Sequence, residues 1–82
     1  MYQEYVIIKE YCSWSHIEPE FVSNLAEMGI IEPHQIGGES CLSIRQIREL
    51  QIYSHLYYDL SVNVEGIDVI RHLLGRLSSN KE

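Results

Sequence analysis

Cys12 and His16 stand four residues apart, and His34 and Cys41 lie beyond the next helical stretch. Two thiols and two imidazoles are a sufficient donor set for a tetrahedral zinc ion. Their spacing matches neither common finger pattern, and the Cys12–His16 pair straddles the end of a short helix. Burial as small apolar side chains is the better reading of both cysteines. A Cys12–His16 nucleophile pair lacks a third orienting group and an oxyanion donor. Glu18 and Glu20 sit two apart on a helix, so their carboxylates diverge instead of meeting on one substrate. Gly37-Gly38 is a turn, not a phosphate loop. His55 and His72 lie on helices and read as surface or boundary residues. The residues predict no catalysis, no metal and no cofactor.

The 82 residues suffice for one domain. A domain this small buries only about 60% of the surface its unfolded chain exposes, so its apolar residues are committed to one core. Hydrophobic residues make up 45% of the chain, a folding composition and not a disordered one. Twelve acids oppose six bases, and the formal net charge is −6. Residues 1–41 hold seven of the acids against Lys9 alone, whereas residues 42–82 are balanced at five and five. The N-terminal half would therefore repel phosphates and anionic lipid heads and attract a basic protein face. Acidity that only maintains solubility is the plain alternative. Two cysteines are too few for a disulfide framework. Glu4, Lys9 and Glu10 interrupt the early apolar run, so no signal peptide is expected. No stretch approaches a membrane span. A cytoplasmic location with reduced thiols is the expectation.

These side chains need elements to position them. Tyr2–Ile8 predicts a strand, rich in β-branched and aromatic residues. Lys9–Trp14 predicts a short helix with Tyr11, Cys12 and Trp14 on its apolar side, loosened into a turn by Ser13 and Ser15. Pro19 opens a second helix, carrying Phe21, Val22, Leu25 and Met28 at helical spacing and ending at Gly29. Ile30–Ile36 and Ser40–Leu42 flank Gly37-Gly38 as a hairpin wing, with Pro33 suited to an edge. Ser43 can cap a third helix from Ile44 to about Leu60, with Ile47, Leu50, Tyr53 or Ser54, Tyr57 and Leu60 as its stripe. Asn63 can cap a fourth from Val64 to about Leu77, with Ile67, Ile70, Leu73, Leu74 and Leu77 on one side and Gly66 in the first turn. Ser78–Glu82 reads as frayed. The order describes a mostly α winged helix-turn-helix (residues 4–42), extended by two further C-terminal helices (residues 43–77) in a single domain.

The run Lys9-Glu10-Tyr11-Cys12, followed by Ile17-Glu18-Pro19-Glu20-Phe21-Val22, Leu25 and Gly29-Ile30-Ile31-Glu32, resembles the winged-helix unit of the MerR superfamily. The run Leu56 to Ile70, with Asn63-Val64-Glu65-Gly66-Ile67 at a helix start, is similar to one branch, the CbpM-like chaperone modulators. The resemblance implies a MerR-like fold and a regulator that binds the J-domain of a DnaJ/CbpA-like co-chaperone and inhibits it. Longer members of that branch continue into a further C-terminal helical segment. A homodimer formed through such a segment is therefore open to question for this sequence.

A winged helix reads DNA by placing basic and amide side chains of its second helix in the major groove. MerR-type regulators carry an Arg-Tyr-Tyr run there. Glu18 to Met28 offers Glu18, Glu20, Asn24 and Glu27 and no base, and Glu32 to Glu39 also lacks one. Direct nucleic-acid binding is therefore not expected, and a DNA-binding MerR-type regulator is the rival reading, with Arg45 and Arg48 as its only basic pair. The same acids suit the positively charged helix of a J-domain. Tyr53, His55, Tyr57 and Tyr58 are candidate anchors. Tyr57 and Tyr58 are adjacent, so on an α-helix both cannot face the core fully. Tyr57 in the core with Tyr58 at its edge is the plain alternative. Asp59, Glu65 and Asp68 cluster near the third-to-fourth helix turn, where a solvated face is an equal reading.

Overall fold

The computed structural model describes residues 4–79, and of residues 76–79 the backbone alone. The elements are β1 (Tyr5–Ile7), α1 (Ile8–Ser15), α2 (Pro19–Glu27), β2 (His34–Ile36), β3 (Glu39–Ser43), α3 (Ile44–Ser54) and α4 (Val64–Ser79). A π-helical turn, His55–Asp59, prolongs α3. The strands form an antiparallel sheet in the order β1-β3-β2, with Val6 opposite Leu42 and His34 opposite Cys41. The predicted winged helix-turn-helix, its hairpin and its two further helices are all present.

Helices α1 and α2 end in the same way. His16 closes α1 at φ 58°, and Gly29 closes α2 at φ 76°. The next residue returns a backbone N–H to the helix, Ile17 to the Cys12 carbonyl at 3.2 Å and Ile30 to the Leu25 carbonyl at 2.9 Å. This left-handed closure satisfies orphan carbonyls and turns the following apolar residue inward. Ile17 and Ile30 are both buried. Ser13 and Ser15, expected to loosen the backbone, stay helical. The break falls on His16, because histidine tolerates the left-handed region better than most side chains.

The core joins Tyr11 and Cys12 of α1, Phe21, Val22 and Leu25 of α2, Leu42 of β3, Ile47, Leu50 and Tyr53 of α3, and Ile67 of α4. Burying a side chain the size of Leu25, Leu42 or Leu50 stabilises by about 1.5–3 kcal/mol. Ser43 caps α3 by accepting the Gln46 N–H, and Asn63 caps α4 by accepting the Gly66 N–H at 2.8 Å. Gln46 also clamps the segment before the wing. Its side-chain amide accepts the Glu32 N–H at 2.7 Å and donates to the Glu32 carbonyl at 3.4 Å.

Several expectations change. β1 begins at Tyr5 and ends at Ile7, since Ile8 opens α1; Tyr2 and Gln3 lie outside the described residues. Trp14 is 70% exposed and does not join the core, although it lies only one turn from Tyr11 on α1. Met28 leaves the apolar stripe because the closure at Gly29 turns it outward. Ile30 and Ile31 are buried bend residues, so the wing's first strand shrinks to His34–Ile36. Leu60 is exposed because the π-helical turn shifts the register before it. On α4 only the first part of the stripe is covered: Ile67 is buried, whereas Leu73 and Leu74 are more than half exposed. The Leu77 side chain lies outside the described residues. Ser78 and Ser79 are helical, and residues 80–82 lie outside the described residues.

Gly66 and Gly75 sit in the same helix under opposite constraints. A Cβ at Gly66 would lie 2.9 Å from Val62 Cγ1 and 3.1 Å from Asn63 Oδ1, whereas one at Gly75 would meet nothing within 4 Å. Gly75→Ala should raise stability by about 0.5–1 kcal/mol, the ordinary helix preference. Gly66→Ala should lower it by about 1 kcal/mol or more, because the clash strains the cap. Urea denaturation of both variants checks the opposite signs.

Burial pushes the Cys12 thiol up, and burial pushes the Tyr53 hydroxyl up, with Glu49 adding to the rise and Arg71 opposing it. Each group holds its proton more tightly in the folded state, so the unfolded chain releases it first as pH rises. These contributions are fully present below about pH 8 and are lost as the pH climbs past the ordinary thiol and phenol values. Thermal melting across that range should show the fall, and Cys12→Ala with Tyr53→Phe should flatten it.

Candidate functional site

Helix α2 divides cleanly between core and solvent. Phe21, Val22 and Leu25 point inward, and Glu20, Ser23, Asn24 and Glu27 lie on the exposed side. The π-helical turn packs against α2. A wider turn brings successive side chains closer in angle than an α-helix does. Tyr57 therefore stacks on Phe21 (ring centroids 4.4 Å apart, planes at 27°), and Tyr58 meets the same ring edge-on at 5.5 Å. The two tyrosines cross each other at 5.0 Å and 85°. As expected, the two do not both face the core fully: Tyr57 packs against it and Tyr58 covers its edge, although both rings touch Phe21. Tyr58 nevertheless stays 42% exposed, and its hydroxyl accepts the backbone N–H of Glu18 at 3.0 Å. Glu18 has no side-chain cap bond, so this hydroxyl ties the start of α2 to the turn.

The predicted site residues separate into groups. His55, Tyr58 and Asp59 line a pocket of about 370 Å³ with His16 and Ser15 from the end of α1. His55 Nδ1 and Asp59 Oδ2 are 2.6 Å apart across the turn, with both side chains more than half exposed. An exposed pair of this kind contributes about 1 kcal/mol at most. Glu18 adjoins this group through Tyr58. Glu27 and Glu65 meet at a second groove of about 340 Å³, between the end of α2 and the start of α4. Asn24, Met28, Tyr57, Asn63 and Val64 complete that groove. Glu20 is exposed on the first turn of α2. Asp68 belongs to neither group. Its carboxylate accepts from Arg71 at 3.0 Å and lies 3.7 Å from His72.

Sequence reasoning missed Met28, Asn24 and Asn63 as parts of one surface. Gly29 carried the available signal: a left-handed closure there places the preceding Met28 at the helix end, outside the buried stripe. Neither Lys nor Arg lines either pocket. Among the described residues, Glu18, Glu20, Glu27 and Glu65 form no ion pair. No group of three His, Cys, Asp or Glu side chains among the described residues has metal-binding geometry, and both cysteines are buried free thiols.

Residues 6–82 match the family model described as MerR HTH family regulatory protein. The chain belongs to the MerR HTH family. No curated protein and no solved structure matches it significantly. In this MerR-family chain α1 and α2 form the helix-turn-helix, and β2–β3 form the wing. The exposed side of α2 carries Glu20 and Glu27 and no base. Lys9 is the one base of the first 41 residues, and it lies 3.9 Å from Glu39 at the wing. Arg45 and Arg71 line a different groove, between α3 and α4, together with Glu49. No helix among the described residues is long and apolar enough to cross a membrane.

Tyr58→Phe removes the bond to Glu18 and leaves the ring contacts. It should cost about 0.5–1.5 kcal/mol. Phe21→Ala empties the space beneath both tyrosines and should cost about 3–5 kcal/mol. Chemical denaturation, with tyrosine fluorescence following the ring cluster, distinguishes the two.

Proposed function

We propose that this MerR-family chain is a chaperone modulator of the CbpM type. It binds the J-domain of a DnaJ/CbpA-like co-chaperone and inhibits it, acting in the cytoplasm by binding and not by catalysis. One observation carries the reading: α2, which a DNA reader would fill with cations, presents carboxylates beside the partly exposed ring of Tyr58. Each carboxylate near a phosphate costs energy where a Lys or Arg would gain it by releasing counterions. The same face complements a cationic helix, which speeds encounter and fixes orientation. Tyr58 supplies a partly exposed ring of the kind that anchors interfaces. The similarity of Leu56–Ile70 to the chaperone-modulator branch points the same way.

A DNA-binding regulator is the second reading, and the family match is equally compatible with it. Its phosphate contacts would come from Arg45 and Arg48 on α3, both exposed. Two measurements separate the readings. Titration calorimetry with a purified J-domain at low salt should give a Kd of about micromolar or tighter, weakening several-fold as salt rises. Electrophoretic mobility shift with genomic fragments should give no retarded species. A silent calorimetric titration beside a salt-steep DNA shift would reverse the assignment.

A further inference from the structure

We propose that the groove between the end of α2 and the start of α4 receives one lysine or arginine side chain of the partner protein. This rests on the reading of the partner as basic, and it adds where on the face the cation is held.

The groove mixes apolar and polar lining: Tyr57, Met28 and Val64 stand beside Asn24, Asn63 and two carboxylates. Tyr57 is held in place by its stack on Phe21 at 4.4 Å. Met28, 39% exposed, and Val64 form apolar walls. Glu27 and Glu65 stand on the two sides, each without an ionic partner among the described residues. Long basic side chains bury their methylene stems on apolar surface and keep their charged heads at a polar edge. A neutral apolar side chain would use the apolar lining and leave both carboxylates partly desolvated and uncompensated. The helix ends also matter. α2 finishes at Glu27, so the negative end of its dipole adjoins the groove. The positive end of α4 opposes a cation, but Asn63 Oδ1 occupies the Gly66 N–H there and Glu65 offsets the remainder.

Substitution and peptide titration test this on the full chain. The probes are a soluble alanine–lysine peptide and the same peptide with its lysines acetylated, which keeps the stems and removes the charge. Backbone amide shifts should concentrate at Asn24, Glu27, Met28 and Glu65 and vanish with the acetylated peptide. Glu27→Gln with Glu65→Gln should weaken lysine-peptide binding about tenfold, a difference typical of losing a paired charge. Glu10→Gln with Glu32→Gln removes equal charge elsewhere and should change it by less than about twofold. Shifts spread evenly over Glu4, Glu10 and Glu32 would overturn the proposal, as would equal affinity in the two double variants. So would saturation of the groove amides on raising protein concentration alone, which would make a second copy the occupant. A purified J-domain that binds the wild type and Glu27→Gln/Glu65→Gln equally would also sink it, leaving the function assignment standing. Localised peptide shifts with no J-domain binding would sink the assignment and leave the groove.

Discussion

Phe21 is gripped by two tyrosines that follow one another in the chain, and the placement of the C-terminal half depends on that grip. An α-helical turn at Tyr57 and Tyr58 would send one ring away from α2. The π-helical turn admits one more residue per hydrogen-bonded loop and lets both rings reach the same side chain. Aromatic pairs at these separations add about 0.5–1.5 kcal/mol each beyond their buried area. The consequence runs onward along the chain. Ser61 takes a left-handed conformation at φ 60°, and the Val62 N–H returns to the Leu56 carbonyl at 2.9 Å. That bond reaches one residue further back than the closures of α1 and α2. It sets where α4 begins, and so brings Glu65 to the groove that Glu27 borders.

Charge is laid over this interior independently of it. The helix-turn-helix needs Phe21, Val22, Leu25 and the two left-handed closures. None of these dictates what lies on the outer side of α2. A scaffold shared with DNA readers can therefore carry Glu20, Asn24 and Glu27 at the positions that would approach a phosphate backbone. Among the described residues, the bases of the second half line neither of the grooves that hold these acids. Arg71 is engaged with Asp68, and Arg45 shares a groove with Glu49. The family match shows the architecture, and the proposed choice of partner rests on the surface residues laid over it.

Much of the architecture was legible because its signals are local. Pro19 at a helix start, Gly29 at a helix end, Gly37-Gly38 between strands, and the caps Ser43 and Asn63 act through their own backbone neighbours. What escaped was non-local or conformationally rare. The stripe Ile47, Leu50, Tyr53, Tyr57 continues at α-helical spacing, so nothing in it announces the π-helical turn. Leu73 and Leu74 carry a core pattern, but the described chain leaves each more than half exposed. The candidate site was half legible. Its acids stood out by type, whereas the pairing of Glu27 with Glu65 depends on how α4 docks, which no residue spacing encodes. Met28 was misread as core because its helix ends one residue earlier than its stripe.

The surface mixes two kinds of residue with different reasons to be there. Tyr57 and Tyr58 are explained by the fold alone: they cover Phe21, and one of them holds the start of α2. Glu18, Glu20, Glu27 and Glu65 are not. Glu18, Glu20 and Glu65 gain something from nearby helix N-termini, but Glu27 stands at the wrong end of α2 for that benefit. A carboxylate at a helix C-terminus opposes the dipole, and it shares with Glu65 a groove that no Lys or Arg among the described residues lines. Folding gives no reason for a carboxylate at that position. A positively charged visitor would, since it relieves the dipole, the second carboxylate and the exposed apolar lining together.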